Sequence, residues 1–302
     1  VALKLPPNLT QARNHYTRQA SITAAAVLAI RALFRRKRPL PEIVSTVAAY
    51  QYASAQASVA AMAGAAGSRT PLVDPTMFAG VTAAGFPLAE PMVATIDQFT
   101  PAPVEPLPAN WWADAGDFMG SIERLVAAAV ADAGRSAAQA EILSRPTWQN
   151  YVRMLTPPSC GRCAILAGRV YRDLDGFKRH PGCDCVHWPV QDWQEAHDAG
   201  LVSSAREAFD KGLIRGLSKA DTQAIRDGAD IATVVNATQG ITTATMAGRK
   251  LKATTYGTTK RAAWRRANPT RLVRLRPESI YEFAKDADDA RRLLALYGYL
   301  PN

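Results

Sequence analysis

The stretch "CGRCAILAGRVYRDLDGFKRHPGCDC", Cys160–Cys185, holds all four cysteines of the 302-residue chain and one of its four histidines. Four cysteines in a chain of this length are far below the density of secreted disulfide scaffolds. The two-residue spacing in CGRC (160–163) recurs in HPGC (180–183). Such turns present two ligands to one cation, and two of them make a tetrahedral site. The stretch therefore predicts a structural zinc site.

This stretch contains more candidate ligands than the four that a tetrahedral metal ion binds. The candidates are Cys160, Cys163, His180, Cys183 and Cys185, with His187 ranked last. A closed shell of thiolate and imidazole ligands leaves no position for water, so we expect Zn²⁺ to act structurally and not catalytically. Which four side chains ligate stays open. Disulfides formed after release from the cell, or plain buried thiols, are the alternatives.

Hydrophobic periodicity around this stretch predicts a mainly α fold with a small α+β zinc-binding central region. Pro39-Leu-Pro41 separates two alanine-rich helices at the N-terminus, and aromatic and β-branched residues predict a strand in "WQNYVRMLTP" (148–157). The predicted helices before this strand are Leu9–Lys37, Pro41–Ala66, Asp117–Ala133 and Ser136–Leu143.

Capping signals predict the helices of the C-terminal part. Ser218 and Asp221 have the spacing of a capping box, which predicts a helix that ends near Gly228. Pro277 is suited to the first turn of a helix and Gly298 to its end, so we expect one final helix between them.

Composition divides the chain into four regions. We expect an alanine-rich helical arm at 1–67, a proline-rich linker or extended segment at 68–110, a core with the Cys/His zinc block at 111–200, and a helical region with a basic segment at 201–302. The apolar run at 20–30 is shorter than the roughly 20 residues of a membrane span, and its heaviest charge follows it. We therefore expect no membrane partner, and the sparse use of cysteine indicates folding in a reducing cytoplasm.

Three stretches are similar to a known family. They are "PPSCGRCAILAGRVYRDLDGFKRHPGCDCVHWPV" (157–190), "RDGADIATVVNATQGITTA" (226–244) and "RLRPESIYEFAKDADDARRLLALYGYL" (274–300). They resemble the Mu-F-like minor head proteins of tailed phages, especially those of phages that infect actinobacteria. With the flanking residues, the resemblance spans about half of the chain.

The resemblance implies a virion protein of the phage head, near the portal vertex, that acts in head morphogenesis. The partners it implies are the phage portal protein, a capsid or scaffold protein, and packaged double-stranded DNA. It also implies a role in genome packaging or ejection. The alternative is a capsid maturation protease, because phage genomes of this type encode one at the neighbouring position.

Catalytic signals for that alternative are weak, and no catalytic residue is assigned. Ser203, Ser204, His197 and Asp192 lie close in the sequence, but "DWQEAHDAGLVSSAREAF" (192–209) is typical of a surface helix followed by a capped helix. Neither a G-x-S-x-G elbow nor an H-E-x-x-H motif occurs.

Charge supplies the last signal. Between Asp230 and Glu278 the chain has no acidic residue, whereas ten basic residues fall there. These ten account for the whole net charge, since 36 − 10 leaves 26 basic against 26 acidic residues. We expect contact with DNA or with an acidic portal surface, with Tyr256 and Trp264 as stacking surfaces. The ten residues are Arg249, Lys250, Lys252, Lys260, Arg261, Arg265, Arg266, Arg271, Arg274 and Arg276.

Overall fold

A computed structural model describes residues 7–99, 117–145, 148, 150–155, 158–172, 185–246, 248–259 and 261–300. The chain divides into two compact units. The first unit comprises residues 1–156 and 167–203, and the second comprises 157–166 and 204–302. The described part is mainly helical with small sheets, as predicted. No helix in it combines the length and the apolar composition of a membrane span.

Three long helices form the body of the first unit. They are α1 (Pro7–Arg35), α2 (Leu40–Ala65) and α4 (Phe118–Leu143), and each packs against the other two. Lys37 reverses the chain between α1 and α2 with a left-handed backbone, φ 55°. The sequence placed both N-terminal helices to within two residues of their observed ends.

Apolar side chains from these helices form the core of the first unit. Ile30, Val47, Ile122 and Val130 are fully buried in one cluster. Phe118 lies in the same cluster, where its ring contacts Phe34 edge to face at 5.6 Å. Because aromatic pairs prefer this geometry, the contact adds to the energy of burial.

The α4 helix corrects one prediction. The expected break between Ala133 and Ser136 does not exist, and the helix runs unbroken from Phe118 to Leu143. At this point a methyl group added to Gly134 would lie 2.4 Å from both Gln19 Oε1 and Ser54 Oγ. Gly134 is therefore kept small by close packing against α1 and α2, and it does not end the helix.

The proline-rich stretch is partly helical where it is described. A 3₁₀ turn occupies Pro75–Phe78, and α3 spans Ala89–Phe99. Gln51 of α2 holds the connection, since its amide donates to the Val81 carbonyl at 2.8 Å and accepts from the Gly80 N–H at 2.8 Å. The most proline-rich part, 101–108, lies outside the described residues.

A small antiparallel sheet completes the first unit. Its strands are β1 (Asn150–Met154), β3 (Val170–Arg172) and β4 (Val186–Val190), with β1 in the centre. The strand predicted at 148–157 is thus confirmed as β1. The short helix α6 (Trp193–Asp198) follows, with Asp192 as its N-cap.

The second unit is built from short elements. In chain order these are β2 (Ser159–Cys160), α5 (Gly161–Ala164), α7 (Ala205–Asp210), β5 (Ile214–Arg215), α8 (Lys219–Arg226), α9 (Ile231–Asn236), β6 (Ile241–Met246), β7 (Arg249–Thr254), α10 (Ala263–Ala267), β8 (Arg274–Leu275), α11 (Pro277–Phe283) and α12 (Ala287–Leu296). The capping box that begins α8 is present as predicted: Asp221 N–H donates to Ser218 Oγ at 3.0 Å.

The final helix of the prediction is two helices. α11 ends at Phe283, and Ala284 is extended, with φ −62° and ψ 143°. Asp286 then caps α12 by accepting a hydrogen bond from the Asp289 N–H at 2.8 Å. A side-chain cap offers the backbone an alternative to continuing the first helix, so the chain bends here.

Candidate functional site: the cysteine turn and the basic hairpin

The turn at Cys160 and Cys163 has the local form expected of a zinc knuckle. Ser159 and Cys160 form β2, which pairs in parallel with β5. Cys160 is the N-cap of α5, with an extended backbone at φ −67° and ψ 152°. The Cys163 N–H donates to Cys160 Sγ at 3.4 Å. Such N–H···S contacts favour the thiolate form that binds a metal.

Glycine at position 161 allows this turn to pack closely on α9. A methyl group at Gly161 would lie 2.9 Å from Val235 Cγ2. Val235 is buried in the core of the second unit, and Cys163 is fully buried as well, whereas Cys160 is half-buried. The core therefore holds the turn in place before any metal binds.

The other candidate ligands are located differently. Cys185 belongs to the first unit, where it is fully buried and its carbonyl accepts a hydrogen bond from Arg135 Nε at 2.8 Å. His180 and Cys183 lie outside the described residues. Within the ranges that the structure does describe, no three His, Cys, Asp or Glu side chains form a group able to hold a metal ion.

Polar residues that the sequence did not single out surround Cys185. Arg135 is buried in α4, and Arg153 is buried in the central strand β1, opposite His187. The His187 ring lies 4.8 Å from that of Tyr151. Burial raises the pKa of the Tyr171 hydroxyl in the neighbouring strand, an effect that the Arg153 charge opposes. Periodicity could not reveal these arginines, because apolar burial is the rule in such positions.

The basic segment forms an antiparallel hairpin of β6 and β7. In its register Thr243 lies opposite Lys252, and Thr245 lies opposite Lys250. Leu251 and Ala253 alternate with these lysines and are buried in the core. Because side chains alternate across a strand, the two lysines and the two threonines share the exposed face.

Two of the ten basic residues are buried, which corrects the prediction that all ten contact a partner. Arg274 is 3% exposed and donates to the carbonyls of Tyr297 and Gly298. Arg276 is 8% exposed and pairs with Glu278 at 3.1 Å. Both arginines hold the second unit together from inside, so neither can reach a phosphate.

Other members of the basic set are engaged locally. Arg265 donates to the carbonyl of Asn268 at 3.1 Å and to that of Arg271 at 2.9 Å, and Arg271 in turn lies over the Tyr297 ring. The indole N–H of Trp264 donates to the Leu296 carbonyl, so this ring is a structural contact and not a stacking surface.

The remaining basic residues are on the surface or undescribed. Arg249 is exposed and pairs with Glu282 at 2.5 Å. Arg261 and Arg266 are exposed, as are the two hairpin lysines, and Tyr256 is 38% exposed. Lys260 lies outside the described residues.

The residues considered for a protease are occupied elsewhere. Asp192 accepts a hydrogen bond from the Glu195 N–H at 2.8 Å. The exposed ring of His197 contacts Asp198 through Nδ1 at 3.2 Å and stacks on Trp193 at 4.8 Å. No hydrogen bond joins His197 to Asp192 or to Ser203 in the part of the chain that is described.

Comparison with protein-family models, with curated proteins and with solved structures found no match.

Proposed function

We propose that this chain is a minor, portal-associated protein of a phage head that acts by binding during head morphogenesis. The proposal rests on the similarity of three stretches to Mu-F-like proteins. The observation that carries it furthest is that two of these stretches build one core. Ile231 and Val234, from the second stretch, and Ile280 and Leu294, from the third, are buried in the same cluster.

The first stretch contributes to that core as well. Its α5 turn packs on α9, where Gly161 approaches Val235. Segments that depend on one another for folding are expected to be retained together, since removing one exposes the apolar surface of the others. The shared core therefore favours one inherited module over three chance similarities.

The position of the protein in phage particles tests this function. Reconstruction of the virion, or cross-linking of intact heads, is expected to find copies in contact with the portal ring. A chain that is absent from mature heads would contradict the proposal. If capsid-precursor cleavage also stopped in particles with Ser203→Ala or His197→Ala, the maturation protease would replace it.

We also propose that Cys160 and Cys163 are two ligands of a structural Zn²⁺. The donor set fits this ion, because thiolates are zinc ligands, the two cysteines flank one turn, and Cys160 Sγ already accepts the Cys163 N–H. When bound, zinc would supply folding energy to the stretch that carries its ligands.

Elemental analysis of protein purified under reducing conditions is expected to give about one zinc per chain. Cys160→Ser should lose the metal and destabilise the fold by several kcal/mol, on the order of the metal-binding contribution in structural sites. Arg162→Gln is the matched control, since it changes the same turn without touching a sulfur. A metal-free native protein whose Cys160→Ser variant melts at the same temperature would contradict the site.

The exposed face of the hairpin is the surface we propose for a partner. Lys250 and Lys252 belong to a sequence segment, 231–277, that has no acidic residue, and Glu282 is paired with Arg249, so the two lysines favour either packaged DNA or an acidic protein surface.

A further inference from the structure

The β6 strand lies at the edge of its sheet. The strand order is β6-β7-β8, so β6 has one neighbouring strand among the described residues. The Thr255 N–H donates to the Gly240 carbonyl at 2.9 Å, so Gly240 and Thr255 are a hydrogen-bonded pair of the antiparallel ladder. Since these pairs alternate, residues 242, 244 and 246 bond to β7. Ile241, Thr243 and Thr245 therefore direct their N–H and C=O groups away from β7.

This edge lacks the usual features that prevent strand pairing. Natural edge strands carry charges, prolines or bulges. The sequence of β6, ITTATM, has no charge and no proline, and its six residues pair with β7 without interruption. Ile241 is 60% exposed at the start of the strand. An uncharged, regular edge of this length is suited to accept another strand.

We propose that β6 accepts an extended acidic segment of a partner protein as an added strand. The positive charge of Lys250 and Lys252, on the strand next to β6, favours an acidic sequence in the added strand. Neighbouring strands are about 4.8 Å apart, so the lysines of β7 stand roughly two such steps from an added strand. Thr243 and Thr245 are short, and they leave room for Lys252 and Lys250 to extend across them. Carboxylates at alternate positions of the added strand would meet these ammonium groups.

The inference goes beyond the proposed function but rests on it for the source of the strand. It assigns the exposed hairpin to a protein partner, for which a portal or capsid protein would supply the acidic segment. Backbone pairing gives such a contact its affinity, and the lysines give it selectivity. DNA would use the lysines but not the outward N–H and C=O groups of the strand.

Fluorescence anisotropy with short synthetic peptides tests the charge preference. A peptide in which glutamate alternates with valine should bind the full-length protein, whereas one in which lysine alternates with valine should not. Lys250→Gln with Lys252→Gln should weaken binding about ten-fold, a typical effect of losing two charge contacts. Lys211→Gln is the control and should change nothing, because Lys211 is an exposed lysine at the C-cap of α7 in the same unit.

Proline substitution tests the edge itself. Thr243→Pro removes an outward N–H that makes no bond to β7, so edge strands tolerate it, and binding should fall about ten-fold. Thr243→Ala removes the same side chain but keeps the N–H, and it should bind the glutamate peptide as the native protein does. Circular dichroism and thermal melting should match for the two variants. If the proline variant is unfolded, hydrogen exchange of the native protein with and without the peptide tests strand addition instead.

Hydrogen exchange gives the decisive signature. The glutamate peptide should protect the amides of Ile241, Thr243 and Thr245, while those of Thr242 and Ala244 stay as they are. Peptide binding that depends on the lysines but protects none of the three amides would overturn strand addition. A duplex DNA that displaces the peptide and binds more tightly at the same salt would assign the face to DNA. Concentration-dependent dimers that protect the same amides would assign the edge to a second copy.

These measurements use the isolated protein. A failure here would leave a portal-bound copy in virions unaffected, and a chain absent from virions would leave strand addition intact. The two proposals can therefore fail separately.

Discussion

Two buried charges, Glu141 in the first unit and Arg274 in the second, are compensated in different ways. In the first unit Glu141 is fully buried and forms an ion pair with Arg145, while it accepts hydrogen bonds from the N–H groups of Leu72 and Val73. In the second unit Arg274 is buried with no carboxylate within ion-pair distance among the described residues. Its guanidinium donates to the carbonyls of Tyr297 and Gly298 at 2.7 and 2.9 Å.

Aromatic rings complete the surroundings of Arg274. It lies over the Tyr299 ring at 4.7 Å and the Trp264 ring at 5.5 Å. Burial lowers the pKa of Arg274, although an arginine remains protonated throughout the physiological range. The charge of Glu141 is therefore offset by an opposite charge, and that of Arg274 by carbonyl dipoles and π faces. Removing a partner has a different consequence at the two sites, because only the loss of Arg145 leaves an unpaired ion.

The largest expected effect breaks the ion pair. Arg145→Met leaves Glu141 charged and buried, which should lower the free energy of unfolding by about 3–5 kcal/mol. Urea denaturation with hydrogen exchange resolved by unit would locate the loss in α2, α4 and the connection at Leu72. Adding Glu141→Gln should restore much of the stability, since an amide still accepts the backbone N–H groups without a charge. This account would be contradicted if Arg145→Met lowered the free energy of unfolding by less than breaking an exposed ion pair such as Arg206–Asp210 does.

A smaller effect comes from a buried histidine of the first unit. His15 is 5% exposed beside Trp188, and its Nδ1 has no hydrogen-bond partner in the described structure. Burial lowers the pKa of His15 to about 4, from an ordinary value of 6.5. The unfolded chain therefore takes up the proton first, and stability should decline as the pH falls from 6.5 to 4. The loss should reach about 3 kcal/mol at the acid end.

Urea unfolding as a function of pH measures this dependence. His15→Leu should flatten the stability curve between pH 6.5 and 4 in relation to the native protein. His197→Leu is the control, because that ring is exposed and its replacement should leave the curve as it was. An unchanged slope in His15→Leu would show that other groups cause the acid sensitivity.

Removal of the buried Arg274 cation should cost less. Arg274→Gln keeps a donor but loses charge-assisted bonds and the ring contacts, and we expect a loss of about 2 kcal/mol. The carbonyls left behind are neutral, which is why the cost is below that of an unpaired carboxylate. Arg266→Gln, on the surface of the same unit, should change stability by less than about 0.5 kcal/mol. Equal losses for Arg274→Gln and Arg145→Met would remove the distinction between the two buried charges.

The smallest effect concerns helix packing in the first unit. Gly134→Ala places a methyl group against Gln19 and Ser54, so crowding should outweigh the better helix propensity and destabilise by about 1 kcal/mol. Gly64→Ala is the matched control, since nothing lies within 4 Å of the added carbon. It should be neutral or slightly stabilising in thermal melts. Stabilisation by both substitutions would show that the helices can separate at no cost.

Local signals in the sequence determined the local elements. Proline at 39 and 41 separated α1 from α2, and the side chains of Ser218 and Asp221 set the start of α8, because these residues act on backbone groups within one turn. The CGRC spacing likewise identified the turn that brings Cys160 and Cys163 together. The proline break and the capping box depend on neighbours in the chain and need no distant contact, whereas the CGRC turn is also held by the core of the second unit.

Tertiary structure alone decided the rest, because it depends on residues far apart in sequence. The sequence predicted a break between Ala133 and Ser136, but Gly134 packs closely on Gln19 and Ser54 inside the unbroken helix α4. The basic run predicts Arg274 to be a surface charge, but Arg274 is buried and donates to carbonyls more than twenty positions away in the sequence. The sequence gives the number and spacing of the basic residues, but it does not show which of their side chains face solvent. Only the register of β6 on β7 shows which lysines face outward and which strand is left at the edge.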